Sequence, residues 1–194
     1  MNIIGISGQT GAGKSTFAKL LNQKLKGEYI DVDSLGHILL KDESTIQKLV
    51  KTFGKDILTE SQIDRKKLGA KAFVSSEATE SLNNIMHPAM VEMVKDIIDK
   101  CREENQQNVI IDAALLYKMK LNKLCNKIIY VKADSEVRVK RLVSSRGWTE
   151  QQARERLFSQ DTEPNDENVI IVKNNSSLED LENIEVKMSI CGKW

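Results

Sequence analysis

Lys14 and Ser15 close a glycine-rich segment, GISGQTGAGKST, that spans residues 5–16. From Gly8 to Ser15 the order is Gly-x-x-x-x-Gly-Lys-Ser, the spacing of a loop that wraps a polyphosphate. Backbone amides that all turn inward on phosphate oxygens need dihedral angles that a β-carbon disfavours, and they bring the chain too close to the anion for side chains. Gly8, Gly11 and Gly13 meet both demands. Lys14 would then extend to the β- and γ-phosphates, and the Ser15 hydroxyl would ligate Mg²⁺. An unliganded glycine-rich turn is the alternative. The apolar MNII before the loop and the amphipathic FAKLLNQKLK after it oppose that alternative, because they supply the strand and helix such a loop requires.

Carboxylates are the next candidates, since ligands of parallel sheets sit beyond the carboxyl ends of the strands. Asp31 and Asp33 follow one apolar run and Asp112 closes another. An acceptor hydroxyl needs a carboxylate to orient it and take its proton, and Mg²⁺ needs carboxylates to hold its waters. Each aspartate could equally cap a helix or open a turn. Arg141, Arg146, Arg154 and Arg156 crowd one short segment. There guanidinium groups could neutralise charge on a transferred phosphoryl group and exclude water, or they could simply solvate a helix face.

The elements that must position these groups are legible as runs. MNII, YIDV, NVIID, KIIYV and NVIIV are rich in Ile and Val, do not alternate, and are separated by helical patterns, as in a parallel sheet buried on both faces. Together with the loop they predict an α/β fold of P-loop NTPase type, a three-layer α/β/α arrangement around a five-stranded parallel sheet. One domain is expected over 1–194, with a core of 1–33, 107–132 and 168–194. Residues 34–106 read as an all-helical insertion, with Pro88 opening a helix that carries Met90, Val94, Ile97 and Cys101. Residues 133–167 read as a lid of two charged helices broken at RGW. The second begins at a Thr149/Gln152 capping box.

Composition bounds the partners. Twenty-nine Lys and Arg against 28 Asp and Glu leave a net charge of +1, so no global field recruits nucleic acid or an anionic membrane. An anion must be gripped locally. Cys101, Cys125 and Cys191 lie far apart without a Cys-x-x-Cys pair, which suits a reducing cytoplasm rather than a disulfide framework or zinc site. No run approaches the ~20 apolar residues of a membrane span. A soluble cytoplasmic protein with no obligate protein partner is expected.

The chain resembles the dephospho-coenzyme A kinases over most of its length. The matching pieces, in order, are GISGQTGAGKST, YIDVDSLGHIL, FGKDIL, IDRKKLGAKAF, LNNIMHP, DAALLYK, RVKRLVSSRGWTEQQARERLFSQ and NNSSLEDL. The Ile-Asp-x-Asp, Asp-Arg-x-x-Leu and His-Pro elements in this order are much more specific than the loop. The resemblance implies transfer of the ATP γ-phosphate to the ribose 3′-hydroxyl of dephospho-CoA, with Mg²⁺. It implies ATP contacts from Gly8 and from Gly11, Ala12, Gly13, Lys14, Ser15 and Thr16. Asp33 matches the general base, supported by Asp31. Arg65 and His87 would help to bind the acceptor, as would Asp31 and Asp112, and Arg141 and Arg146 match lid arginines that close on the phosphates, Arg141 and Lys14 with a catalytic part.

Departures are visible too. Where the family commonly has a proline and a glutamate in the segment after Asp112, this chain has Ala114 and Lys118. Glu163-Pro164 replaces an acidic-lysine pair, and the Ala-Asp usual before the last strand is absent. A nucleoside or nucleoside-monophosphate kinase, and a nucleotide-binding regulator without catalysis, therefore stand as the alternatives.

Overall fold

The computed structural model describes residues 1–158, 164 and 169–175. Two compact units emerge. One takes in Met1–Ile30 and the described residues from Cys101 onward, the other Asp31–Lys100.

The first unit is organised by a five-stranded sheet in the order β2-β5-β1-β6-β7, the parallel α/β fold the apolar runs predicted. Its strands are β1 (Asn2–Gly8), β2 (Glu28–Asp31), β5 (Asn108–Asp112), β6 (Lys127–Lys132) and β7 (Val169–Lys173). β1 lies in the middle, with Ile6 opposite Asp112 on one side and Ile129 on the other. Helix α1 (Lys14–Leu25) lays Phe17, Ala18 and Leu21 against Ile4, Ile6, Ile110, Ile129 and Val131. Phe17 is fully buried, and burying such a side chain stabilises by about 1.5–3 kcal/mol. The loop between β1 and α1 is thus anchored on both sides by one buried apolar cluster.

After β6 come α6 (Ser135–Arg146) and α7 (Glu150–Phe158), separated by Gly147 at φ 64°. Val139 and Leu142 of α6 pack with Ala153 and Leu157 of α7. The capping box at Thr149 forms in both directions. Gln152 Oε1 accepts from the Thr149 amide at 2.9 Å, and Thr149 Oγ1 accepts from the Gln152 amide at 3.2 Å. Glu163, Cys191, the segment from Ser176 on and the KMSICGKW tail lie outside the described residues.

In the second unit, α2 (Val32–Leu39), α3 (Glu43–Phe53) and α4 (Arg65–Ala72) are each opened by an aspartate cap, Asp31, Asp42 and Asp64. Two sequence expectations need correction here. The insertion is not all helical. β3 (Leu58–Thr59) and β4 (Gln62–Ile63) pair antiparallel around Glu60 and Ser61, both at positive φ, 50° and 65°. A two-residue turn with both residues left-handed usually advertises itself as Asn-Gly. Glu-Ser gives no such sign, and the turn is held from outside, by Lys67 Nζ donating to Leu58 O and Thr59 Oγ1 at 3.2 and 3.0 Å.

The second correction concerns Pro88, which opens nothing: it sits inside α5 (Ser76–Glu103). An interior proline costs about 3 kcal/mol by removing an amide and crowding the carbonyl four residues back. The buried stripe Met86, Met90, Val94, Ile98 runs straight past it and offsets that cost, while Asn84, whose carbonyl loses its partner, is on the exposed side. The stripe passes through Ile98 rather than the half-buried Ile97.

Candidate active site

Gly8 ends β1 where the backbone has no room. A β-carbon there would stand 2.2 Å from the Val131 carbonyl, the same carbonyl that accepts from the Gln9 amide at 3.1 Å. Gly11 and Gly13 follow at φ 78° and 84°, a region that side chains rarely enter. Gly13 is the N-cap of α1 and offers no side-chain cap. The first-turn amides of α1 therefore have no intrahelical acceptor, and the positive end of the helix dipole stands behind them.

Three of the loop's carbonyls have partners. Thr10 O accepts from Arg138 Nε at 2.9 Å, Gln9 O from the Ala12 amide at 3.1 Å, and Ala12 O from Asn174 Nδ2 at 2.7 Å and Arg141 Nη1 at 3.3 Å. Arg138 is buried at 3 % exposure, although on a helical wheel it reads as one more charged residue of α6. Its backbone carbonyl would stand 3.1 Å from a β-carbon on Gly11, so α6 packs directly on the loop.

Lys14 and Asp112 form an ion pair, and Tyr29 donates to the second carboxylate oxygen of Asp112 at 2.8 Å. Asp112 is 3 % exposed and the Lys14 side chain 14 %, so each charge depends on the other for compensation. Ser15 and Thr16, in the first turn of α1, are exposed. Arg141 is held against the loop, donating to Asn174 O at 3.0 Å as well as to Ala12. Arg146 lies at the other end of α6, about 7.5 Å further along the axis. Its guanidinium stands over the Trp148 ring, 5.3 Å from the centroid. Arg154 pairs bidentately with Glu136 at 2.7 and 3.0 Å, joining α7 to α6 and holding the Glu136 carboxyl below its usual range.

The second unit holds a cavity of 710 Å³ in which Asp33, Arg65 and His87 come together. Asp33 lies in the first turn of α2, Arg65 is the first residue of α4, and His87 comes from α5. Leu40, Phe73, Met86 and Met90 supply apolar wall, and Phe73 is 68 % exposed at the rim. Among the described residues Arg65 makes no ion pair. It also borders a second cavity of 470 Å³ with His37 and Lys41. Asp31 does not line the larger cavity. Its carboxylate accepts from the Ser34 amide at 3.1 Å and the Ser34 hydroxyl at 2.8 Å and caps α2.

Tyr29, Arg138 and Asn174 were not singled out in the sequence. The strand-end rule that marked Asp112 also covers Asn174, one residue past β7. Tyr29 and Arg138 carry no signal of their own, because what they do depends on partners 83 and 128 residues away.

A loop built this way at the end of a central strand, on a parallel sheet of this order, defines the P-loop kinase class. Shikimate kinase from Bacteroides thetaiotaomicron shares the fold, at a TM-score of 0.53 and 15% identity over 100% of this chain and 99% of that one. Within the class, the chain belongs to the dephospho-CoA kinase family, whose sequence profile matches residues 2–180. Dephospho-CoA kinase from Corynebacterium glutamicum is 36% identical over 184 residues, 92% of this chain and 90% of its own. The same enzyme from Carboxydothermus hydrogenoformans is 33% identical over 198 residues, 99% and 94%. Among solved structures, TT1252 from Thermus thermophilus matches at a TM-score of 0.78 with 25% identity over 98% of this chain and 96% of that one. The Campylobacter jejuni dephospho-CoA kinase matches at 0.63 with 26% identity over 97% and 96%.

Proposed function

We infer that the protein phosphorylates the ribose 3′-hydroxyl of dephospho-CoA with ATP, giving coenzyme A and ADP. One observation carries the reading: in a chain of this family, the loop's carbonyls at Thr10 and Ala12 are tethered while Lys14 waits beside the loop on Asp112. That is a polyphosphate cradle with a cation ready for the terminal phosphates.

In the proposed reaction Asp33 orients the 3′-hydroxyl and takes its proton. The hydroxyl oxygen attacks the γ-phosphorus in line, and the bond to the ADP oxygen breaks. Lys14 and Arg141 neutralise charge on the phosphoryl oxygens, Arg146 adds to this at the ATP side, and the amides of Gly11 and of Gly13 to Thr16 hold the chain of phosphates, the Ala12 amide being taken by Gln9 O. Arg65 and His87 bind the acceptor beside Asp33, Asp31 keeps α2 and so Asp33 in place, and Asp112 holds Lys14.

Among the described residues no group of three or more His, Cys, Asp or Glu could hold a metal by itself. An exposed Ser15 hydroxyl fits Mg²⁺, which keeps several waters and takes its other ligands from substrate phosphates. When bound, the ion would supply charge neutralisation to the substrate phosphates. No helix of the described residues is long and apolar enough to cross a membrane, and a cytoplasmic setting fits the Cys125 thiol. Residues 133–167 would act as a lid and 34–106 as the acceptor-binding insertion.

ADP release measured with and without dephospho-CoA tests the function. Release that depends on dephospho-CoA, and not on a nucleoside or a nucleoside monophosphate, is expected. ATP binding with no acceptor-dependent release would assign the chain to regulation instead. Ala114 and Lys118 are exposed and leave the Lys14–Asp112 pair intact, which favours the enzyme.

A further inference from the structure

Asn174 is 3 % exposed, stands just past β7, and takes no direct step in the proposed transfer. Its backbone amide is anchored to Lys132 O at 2.7 Å, which fixes it to the end of β6. From there its side chain works in two directions. Nδ2 donates to the Ala12 carbonyl at 2.7 Å, and Oδ1 accepts from Arg141 Nη2 at 3.3 Å. A β-carbon on Gly13 would stand 2.5 Å from Nδ2, so Asn174 fits against the loop only because residue 13 has none.

Peptide geometry turns these contacts into a constraint on the nucleotide. The chain has no cis bond among the described residues, and in a trans peptide the Ala12 carbonyl and the Gly13 N–H point in opposite directions. Pinning the oxygen on Asn174 sets the Gly13 amide facing away from it, toward the side of the loop that takes phosphate. With φ 84°, Gly13 would otherwise be the most easily rotated link of the cradle.

We propose that Asn174 is a positioning residue that locks the Gly13 amide and the Arg141 guanidinium into one unit, so that affinity for the nucleotide phosphates depends on it while affinity for the acceptor does not. The proposal rests on the loop's being the ATP site. Two variants separate its parts. Asn174→Ala removes both side-chain contacts, whereas the isosteric Asn174→Asp keeps an acceptor for Arg141 but has nothing to donate and sets a carboxylate oxygen against the Ala12 carbonyl.

Steady-state kinetics with each substrate varied in turn, with thermal melts alongside, form the test. Asn174→Ala is expected to raise KM for ATP about tenfold, the equivalent of one lost buried hydrogen bond. Asn174→Asp is expected to raise it at least as much, with KM for dephospho-CoA changed by less than about twofold in both. A KM for ATP in Asn174→Asp within about twofold of the wild type would overturn the proposal, as would equal rises in both KM values. If the Ala variant fails to melt cooperatively, the Asp variant decides alone. Loss of cooperative melting in both would assign Asn174 to the fold and not to the nucleotide. ATP titration of the wild type and of Lys14→Ala is the control. A wild type without affinity for ATP refutes the loop as the nucleotide site, whereas tight wild-type binding unaltered by Asn174→Asp refutes only the positioning role.

Discussion

Replacing Lys14 by Met tests whether the lysine is balanced against Asp112 as closely as their burial implies. Met fills much of the same volume but leaves the Asp112 carboxylate, 3 % exposed, with the Tyr29 hydroxyl in place of a full counter-charge. Removing one partner of a buried pair costs about 3–5 kcal/mol, since the remaining charge loses its compensation without regaining water. For a chain of this length each kcal/mol shifts the melting midpoint by roughly 2–4 °C, so the single variant should melt about 6–20 °C below the wild type. Adding Asp112→Asn removes the stranded charge and keeps an acceptor for Tyr29. The double variant Lys14→Met/Asp112→Asn should therefore regain at least about half of the loss. Turnover must not follow. Lys14 also serves the phosphates, so both variants should remain inactive in the coupled ADP assay even where stability has returned. The melts are run without nucleotide, so that lost ligand binding does not enter the comparison. A single variant destabilised by less than about 1 kcal/mol, or a double variant no more stable than the single, would refute the idea that each charge holds the other in place.

Asp33→Asn should lower turnover by about a hundredfold or more while leaving ATP affinity unchanged, because a proton acceptor is lost and the phosphate contacts are not; near-normal turnover would remove Asp33 from the role of base. Burial pushes the Cys125 thiol from an ordinary value of 9.0 up to about 12. The native protein should therefore resist iodoacetamide at Cys125 at pH 8.5 while the unfolded chain reacts. Because the folded pKa is the higher one, the stability this thiol contributes is complete below pH 9 and declines as the pH rises toward 12. Chemical denaturation of wild type and Cys125→Ala across that range should converge as the pH rises, and parallel curves would contradict the burial.

The loop was legible because its requirement is local. A lack of side-chain bulk at Gly8, Gly11 and Gly13, followed by Lys14 and Ser15, is written in consecutive residues, and so is the helix those residues open. The strands were legible for the same reason, since a strand buried on both faces must be apolar at every position. The Thr149/Gln152 box is a contact between residues three apart, and it formed as the spacing predicted. Where the reading failed, a local rule was outweighed by distant packing. Pro88 should have begun a helix, and the stripe from Met86 to Ile98 carried the helix through it. The insertion should have been all helical, and a short hairpin at Glu60 and Ser61, residues without the usual turn signal, interrupts it beside Lys67.

By itself, then, the sequence determined the sheet, the phosphate loop and the identity of its lysine and serine, because each follows from dihedral freedom or apolar periodicity within a few residues. Only the tertiary structure decided that Asp112 pairs with Lys14, that Asn174 and Arg138 tether the loop's carbonyls, and that Asp33, Arg65 and His87 border one cavity. Those decisions rest on contacts between residues up to 162 positions apart. Such contacts form only when buried polar groups must each find a partner in the folded chain, a constraint that no neighbouring residue records.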